Sequence, residues 1–434
     1  MRPMTIRSPA LLAGPLLAAT VWLLLRHVGG LESAAAATAA VTTLCATWWV
    51  FEPIPIPATS LIPFALLPAF GVIDHSKVAT AYGHPLILLL MGGFILSTAM
   101  ERSGAHRRVA LTMLRAVGGA GGRRLVLGFM LASAALSMWI SNTATTLMLL
   151  PVALAVLQQA DKDERERLAL PLLLGIAYAA NIGGIGTPVG TPPNVIFMAQ
   201  YEAHTGESWS FLQWMLIGVP VVIVFLPLAW LWITRGLGAG KPLTVPAGGP
   251  WSAAEVRVLA VFGLTALLWI SRTEPFGGWN GLLEGFWGVE MPGRKTLVGD
   301  GTVALAMVLL MFIIPDGRQG RLLDWKSAAK IPWGLLILFG GGLAIGKAFG
   351  ASGLSKVVGE QLSALTAWPL LAMIITICLV VTFLTEVTSN TATTNVLMPI
   401  LAAACGIAGE PGAIDPEDSH YKRASTPPPI TNLT

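Results

Sequence analysis

The hexapeptide Ser-Asn-Thr-Ala-Thr-Thr occurs twice, at Ser141 to Thr146 and at Ser389 to Thr394. The copies stand 248 residues apart (389 − 141), and a proline follows each at the same distance, Pro151 and Pro399. Each copy offers hydroxyls and a carboxamide without a formal charge. Such a tip can donate hydrogen bonds to an anion while its side-chain and backbone oxygens ligate a cation. A hard cation such as Na⁺ suits a cage of neutral oxygens. A helix starting after each tip adds partial positive charge, which favours a carboxylate or a sulfate. A single Ser/Thr cluster in an apolar helix would only bond back to its own turn. Two copies at matching places argue for a site.

The match extends upstream. Leu90-Met91-Gly92-Gly93 and Leu338-Phe339-Gly340-Gly341 keep the same spacing, and a Ser-Gly step follows in each half, at Ser103-Gly104 and Ser352-Gly353. Hydrophobic residues are 54% of the 434, charged residues 12%, and the mean hydropathy is +0.70. A soluble chain carries about twice that charged fraction. The chain therefore reads as an all-α polytopic membrane protein. The balance of 27 Lys and Arg against 23 Asp and Glu is too small to argue for nucleic acid. Cys45, Cys378 and Cys405 lie in or beside apolar stretches at no metal spacing and read as buried small hydrophobes. The six histidines show no ligand spacing either. Arg2 and Arg7 precede an apolar run without a convincing cleavage site, so an uncleaved first helix is expected.

Candidate spans cover roughly 10–28, 33–51, 54–73, 85–101, 211–234, 254–271, 301–315 and 332–350. The apolar stretch 124–160 is interrupted at Ser141-Asn142-Thr143, which predicts a re-entrant hairpin of two short helices. The stretch 169–200 is broken from Gly183 to Asn194 by four glycines and three prolines, which cannot continue a helix. Unpaired backbone at membrane depth is tolerated where it lines a cavity or packs on protein. A second interrupted stretch, 367–407, carries the second hexapeptide. Basic residues cluster at Arg102 to Arg124, Lys162 to Arg167, Arg235 with Lys241, and Arg318 to Lys330. Placing them in the cytoplasm puts the N-terminus inside and the two hairpins on opposite faces. The halves then form two inverted-topology repeats around a shared central site, as in transporters.

Two acidic residues stand apart. Glu386 lies three residues before the second tip in an apolar run, where Met138 stands in the first half, so it falls outside the symmetric site. A structural or gating role competes with substrate contact there. Glu52, after Trp48-Trp49, is expected at the membrane interface.

These motifs, with Gly190-Thr191-Pro192-Pro193-Asn194, the stretch from Trp48-Trp49 to Pro57, and Thr385 to Thr391, resemble the divalent anion:sodium symporters. That family carries dicarboxylates, citrate or sulfate, and the likeness covers approximately residues 35 to 402. The resemblance implies a first Na⁺ site at Ser137, Ser141, Asn142 and Gly190 and a second at Thr385, Ser389 and Asn390. It implies substrate contacts from Ser141, Asn142, Thr143, Ser389, Asn390 and Thr391, with Thr191 and Pro192 closing one side. It further implies a homodimer with a fixed scaffold and a moving transport part, Na⁺ as coupling ion and no other cofactor. A bacterial inner (plasma) membrane is the expected location.

The resulting division is 1–84 as N-terminal scaffold spans and 85–210 as the first repeat core with hairpin and broken helix. Residues 211–331 are connecting and scaffold spans, 332–407 the second core with its hairpin, and 408–434 a polar, disordered tail. One departure from the family pattern is the polar sequence after Gly406, where the family has a second Thr-Pro-Pro-Asn loop and a last span. A second Na⁺ site short of one wall, and weak transport, are the expectations it raises. The expected function is Na⁺-coupled symport of a small divalent anion, a C4-dicarboxylate such as succinate. Na⁺-independent anion exchange and a non-transporting remnant are its rivals. No His-Glu-x-x-His, Gly-x-Ser-x-Gly or paired-Asp arrangement argues for an enzyme. Reporter fusions test the topology: a fusion at residue 5 is expected to report the cytoplasm and one at residue 420 the outside.

Overall fold

The computed structural model describes residues 9–117, 121–238, 243, 248–289, 296–362, 368–386 and 388–404. Among them the chain is helical, with no strand. Helix α1 (Pro9–Leu23) runs into a π turn (Leu24–Val28) and is followed by α2 (Ser33–Phe51), α3 (Ile56–Thr59), α4 (Ile62–Ala69) and α5 (His75–Tyr82). Next come α6 (Pro85–Ser103), α7 (Ala105–Val117), α8 (Gly122–Ser137), α9 (Asn142–Leu157), α10 (Lys162–Gly184) and α11 (Pro192–Thr205). Then come α12 (Phe211–Ile233), α13 (Ala253–Ile270), α14 (Gly278–Trp287), α15 (Asp300–Ile313) and α16 (Trp325–Ala328). The chain continues through α17 (Trp333–Ala351), α18 (Leu354–Leu362), α19 (Leu370–Thr385) and α20 (Asn390–Ala404). Seven of the described helical stretches are long and apolar enough to cross a bilayer, as a multi-pass membrane protein requires.

The spacing seen in the hexapeptides recurs in the helix limits. The ends of α6 and α17 match residue for residue at 248 positions apart, as do those of α8 and α19, and α9 and α20 start in register. The Ser-Gly steps stop α6 and α17, with Gly104 at φ 78° and Gly353 at φ 74°, a left-handed conformation that only glycine adopts cheaply.

α6 and α17 are each flanked by helices that lie farther away in the chain. α15 and α16 pack on α6, whereas α4 and α5 pack on α17. The glycine pairs make this approach possible. A Cβ on Gly92 would lie 2.5 Å from that of Ala304 on α15, and a Cβ on Gly341 would lie 2.6 Å from the Ser60 carbonyl oxygen. Small residues admit close helix contact where lipid supplies no hydrophobic drive between helices. The same device joins α8 to α10, where Ser133 Oγ donates to the Ile176 carbonyl at 2.8 Å. A Cβ on Gly183 would overlap the Ala134 backbone. By contrast α1 and α12 turn most of their apolar side chains outward, as lipid-facing helices do.

Three expectations are corrected. The span expected at 54–73 is two short helices, because prolines occupy the first turns of both α3 and α4 and cannot donate to a continuous ladder. The broken element starts near Lys162 rather than 169. Asp161 caps α10 by accepting from the Glu164 amide at 3.0 Å, so a charged first turn extends the helix. Cys45 is buried, as expected of a small hydrophobe, but Cys378 is exposed on α19; Cys405 and the tail 408–434 lie outside the described residues. The packing yields a direct test. Gly183→Ala is expected to lower stability by about 1–3 kcal/mol through overpacking, read as the thermal midpoint of the detergent-solubilised protein. Gly263→Ala, which meets nothing within 4 Å, is the silent control.

Candidate functional site

The first tip is a turn between two short helices. Ser141 caps α9, its Oγ accepting from the Ala144 amide at 3.2 Å. The backbone amides at the start of α9 therefore face the tip, with Ser141 and Thr143 exposed and Asn142 half-buried. Ser137, fully buried at the end of α8, donates its hydroxyl to Asn142 Oδ1, and Asn142 Nδ2 donates to Asn181 Oδ1 at 3.0 Å. One carboxamide thus links α8, α9 and α10.

The break between α10 and α11 lies directly against this tip. A Cβ on Gly184 would sit 2.8 Å from Asn142 Oδ1 and 3.4 Å from Thr191 Cβ, and one on Gly190 would overlap the Gly184 carbonyl. Asn142, Gly184, Gly190 and Thr191 are therefore neighbours only because two of them lack a side chain. The unwound backbone is satisfied from within. Buried Asn194 donates through Nδ2 to both the Gly184 and the Thr187 carbonyl, each at 2.8 Å. Thr187 Oγ1 donates to the Met138 carbonyl, and Trp214 Nε1 to that of Ile185 at 2.8 Å. Beyond the break, Pro192 and Pro193 open α11, where a missing N–H costs no hydrogen bond.

The second tip shares the sequence but not every bond. Thr394 Oγ1 returns to the Asn390 carbonyl at 2.8 Å just as Thr146 Oγ1 returns to that of Asn142. Thr385, the match of Ser137, donates instead within its own helix to Thr382 at 3.0 Å. Thr388 and Thr393 pair through their hydroxyls at 2.7 Å. In the first half Ile140 stands at the place of Thr388. The Thr145 hydroxyl, matching Thr393, is buried without a hydrogen-bond partner among the described residues. Ser389 is half-buried, Asn390 exposed and Thr391 buried. Glu386, exposed, is the C-cap that follows the last residue of α19.

Expected residues Ser137, Asn142, Gly190 and Thr191 are thus gathered at one place, with Ser141 and Pro192 on the helix starts beside it. Ser389, Asn390 and Thr391 open α20, which packs along α11. Reading the sequence missed Asn181, Thr187 and the role of Asn194. Asn181 had one signal, a lone carboxamide in an apolar helix shortly before the break. Among the described residues no group of three or more His, Cys, Asp or Glu converges, and the donors at both tips are neutral oxygens. Charge is kept elsewhere. Arg272, paired with Asp300 at 2.6 Å, lines a cavity of about 740 Å³ that also meets Glu202 near the far end of α11.

An all-helical membrane chain whose interruptions present helix starts and neutral oxygens belongs to the class of secondary carriers rather than enzymes. A family model described as a citrate transporter matches residues 46–417, and the chain belongs to that family. The sodium-dependent dicarboxylate transporter SdcS of Staphylococcus saprophyticus is 40% identical over 414 residues, which is 90% of this chain and 77% of that protein. Proteins of the same name from Staphylococcus aureus are 38% identical over the same shares.

The break itself can be tested. Asn194→Ala removes both donors to buried carbonyls and is expected to cost roughly 1–3 kcal/mol of stability, measured by thermal unfolding in detergent. Asn194→Asp is expected to fail equally, because a carboxylate accepts but cannot donate.

Proposed function

We propose that this chain couples Na⁺ entry to uptake of a small divalent anion, a C4-dicarboxylate such as succinate. The observation that carries the reading is the Asn142 carboxamide, set among Ser137, Gly184 and Thr191 at the start of a helix. Its Oδ1 is a cation ligand and its N–H group an anion donor, so one side chain serves both charges. The first Na⁺ is held by oxygens of Ser137, Ser141, Asn142 and Gly190, and the second by those of Thr385, Ser389 and Asn390. One carboxylate meets Ser141, Asn142 and Thr143 with Thr191 and Pro192 beside it. The other meets Ser389, Asn390 and Thr391. The names of the staphylococcal relatives support both Na⁺ and dicarboxylate.

Coupling follows from electrostatics. A divalent anion in a site without cationic side chains is held by helix starts and by neutralising Na⁺. Neither ion is bound well alone, and each raises the other's affinity by the same factor. In this reading the halves have opposite topology and alternate access by moving cores 85–210 and 332–407 against scaffold spans 1–84 and 211–331. The working form is a homodimer in the bacterial plasma membrane.

Purified protein in liposomes is expected to take up labelled succinate weakly with an inward Na⁺ gradient and not at all without one. Asn142→Ala is expected to weaken succinate and Na⁺ binding together, by about 1.5–3 kcal/mol for each lost bond to a charged group. Calorimetry showing succinate affinity indifferent to Na⁺ would favour Na⁺-independent exchange.

A further inference from the structure

α17 carries a Gly-x-x-x-Gly pair, Gly342 and Gly346, whose face receives one carboxamide from each of two other helices. Asn395 of α20 is fully buried, and a Cβ on Gly342 would overlap its carboxamide. Asn395 Nδ2 donates to the Leu338 carbonyl at 3.3 Å, while Oδ1 has no hydrogen-bond partner among the described residues. Gln200 of α11 is equally buried and donates through Nε2 to the Gly342 carbonyl at 3.5 Å. A Cβ on Gly346 would lie 2.6 Å from Gln200 Oε1. Residues four apart share a helix face, so the two carboxamides lie along one side of α17.

What they connect matters. α11 starts at the first tip, where Thr191 touches the same glycine as Asn142, and α20 starts at the second tip with Asn390. Gln200 is eight residues into α11 from Pro192, about 12 Å at the helical rise, and Asn395 five residues beyond Asn390, about 7.5 Å. Both helices are rigid over those lengths. Fixing each to α17 one turn apart therefore fixes one helix start against the other. An apolar contact would slide along a glycine face at little cost, whereas an amide bonded to a chosen carbonyl holds one register. The feature also breaks the repeat. Leu147 stands at the matching place of the first half, and Phe94 and Thr98 match the two glycines.

We infer that Gln200 and Asn395, seated on the Gly342–Gly346 face, are positioning residues that set the separation of the two tips and thereby the length of dianion accepted. The inference rests on the reading of the tips as the two ends of one anion site. Asn395→Leu tests it with the residue that the first half already uses. Uptake of malonate, succinate, glutarate and adipate is measured in liposomes. The distance between spin labels at Thr146→Cys and Thr394→Cys is measured in parallel, with the native cysteines replaced by serine. Asn395→Leu is expected to change the ratio of succinate to glutarate KM by about tenfold with a smaller change in kcat, and to shift or broaden the label distance. Gln200→Leu is expected to act in the same direction and decides the matter if Asn395→Leu does not fold. Unchanged selectivity with an unchanged label distance overturns the inference. A parent chain that fails to take up any of the four acids overturns the transport reading, and the label distance still decides whether the joint holds the tips.

Discussion

The chain depends on one bonding problem, a helix interrupted at membrane depth. Backbone groups freed between Gly183 and Asn194 are largely buried, and each would cost several kcal/mol if left bare. Asn194 answers by reaching back across the break to two carbonyls at once, and Trp214 and Thr187 bind the segment to α12 and to the first tip. Once the loop is satisfied in this way its glycines can press against Asn142. The tip and the break then become one object rather than two defects. Without that closure the start of α11 would have no fixed place, and neither would anything packed along it.

The arrangement of the halves follows from the same need for close approach. Lipid is as apolar as leucine, so helices associate through shape and through polar contacts. Glycines on α6 and α17 open grooves for α15 and for the α4–α5 corner, and each half thereby completes the other. Charged groups sit at helix ends, where they can be paired. Arg272 lies against Asp300, and Arg108 spans Glu255 and the carbonyls of Gly249 and Pro250. The tips are left neutral, which suits a site where the charges belong to the ligands.

Identical hexapeptides do not make identical tips. The first is tied sideways, Ser137 to Asn142 to Asn181, across three helices. At the second, Thr385 bonds within its own helix, and Thr388 and Thr393 form a hydroxyl pair that Ile140 forbids in the first half. The differences lie just outside the repeated sequence. They show how flanking residues decide what a shared motif can bond.

The sequence by itself determined the helical membrane class, the two interruptions and their register. Those features rest on composition, on glycine and proline chemistry and on a spacing that the helix limits of α6, α8 and α9 repeat. It also singled out the Ser141-Asn142-Thr143 tip, because neutral oxygens beside a helix start are a local property, whereas Ser137, Gly190 and Thr191 entered only through the resemblance to the symporter family. Local signals failed where chain neighbours were not the deciding ones. The prolines around α3 and α4 split an apolar run long enough to read as one span, and Cys378 is exposed on α19 although its stretch is apolar. Only the tertiary structure brought Asn181 to Asn142, seated Asn194 over two carbonyls and laid Gln200 and Asn395 on one face of α17. A carboxamide in an apolar helix announces that it needs a partner, but which partner depends on how distant helices cross.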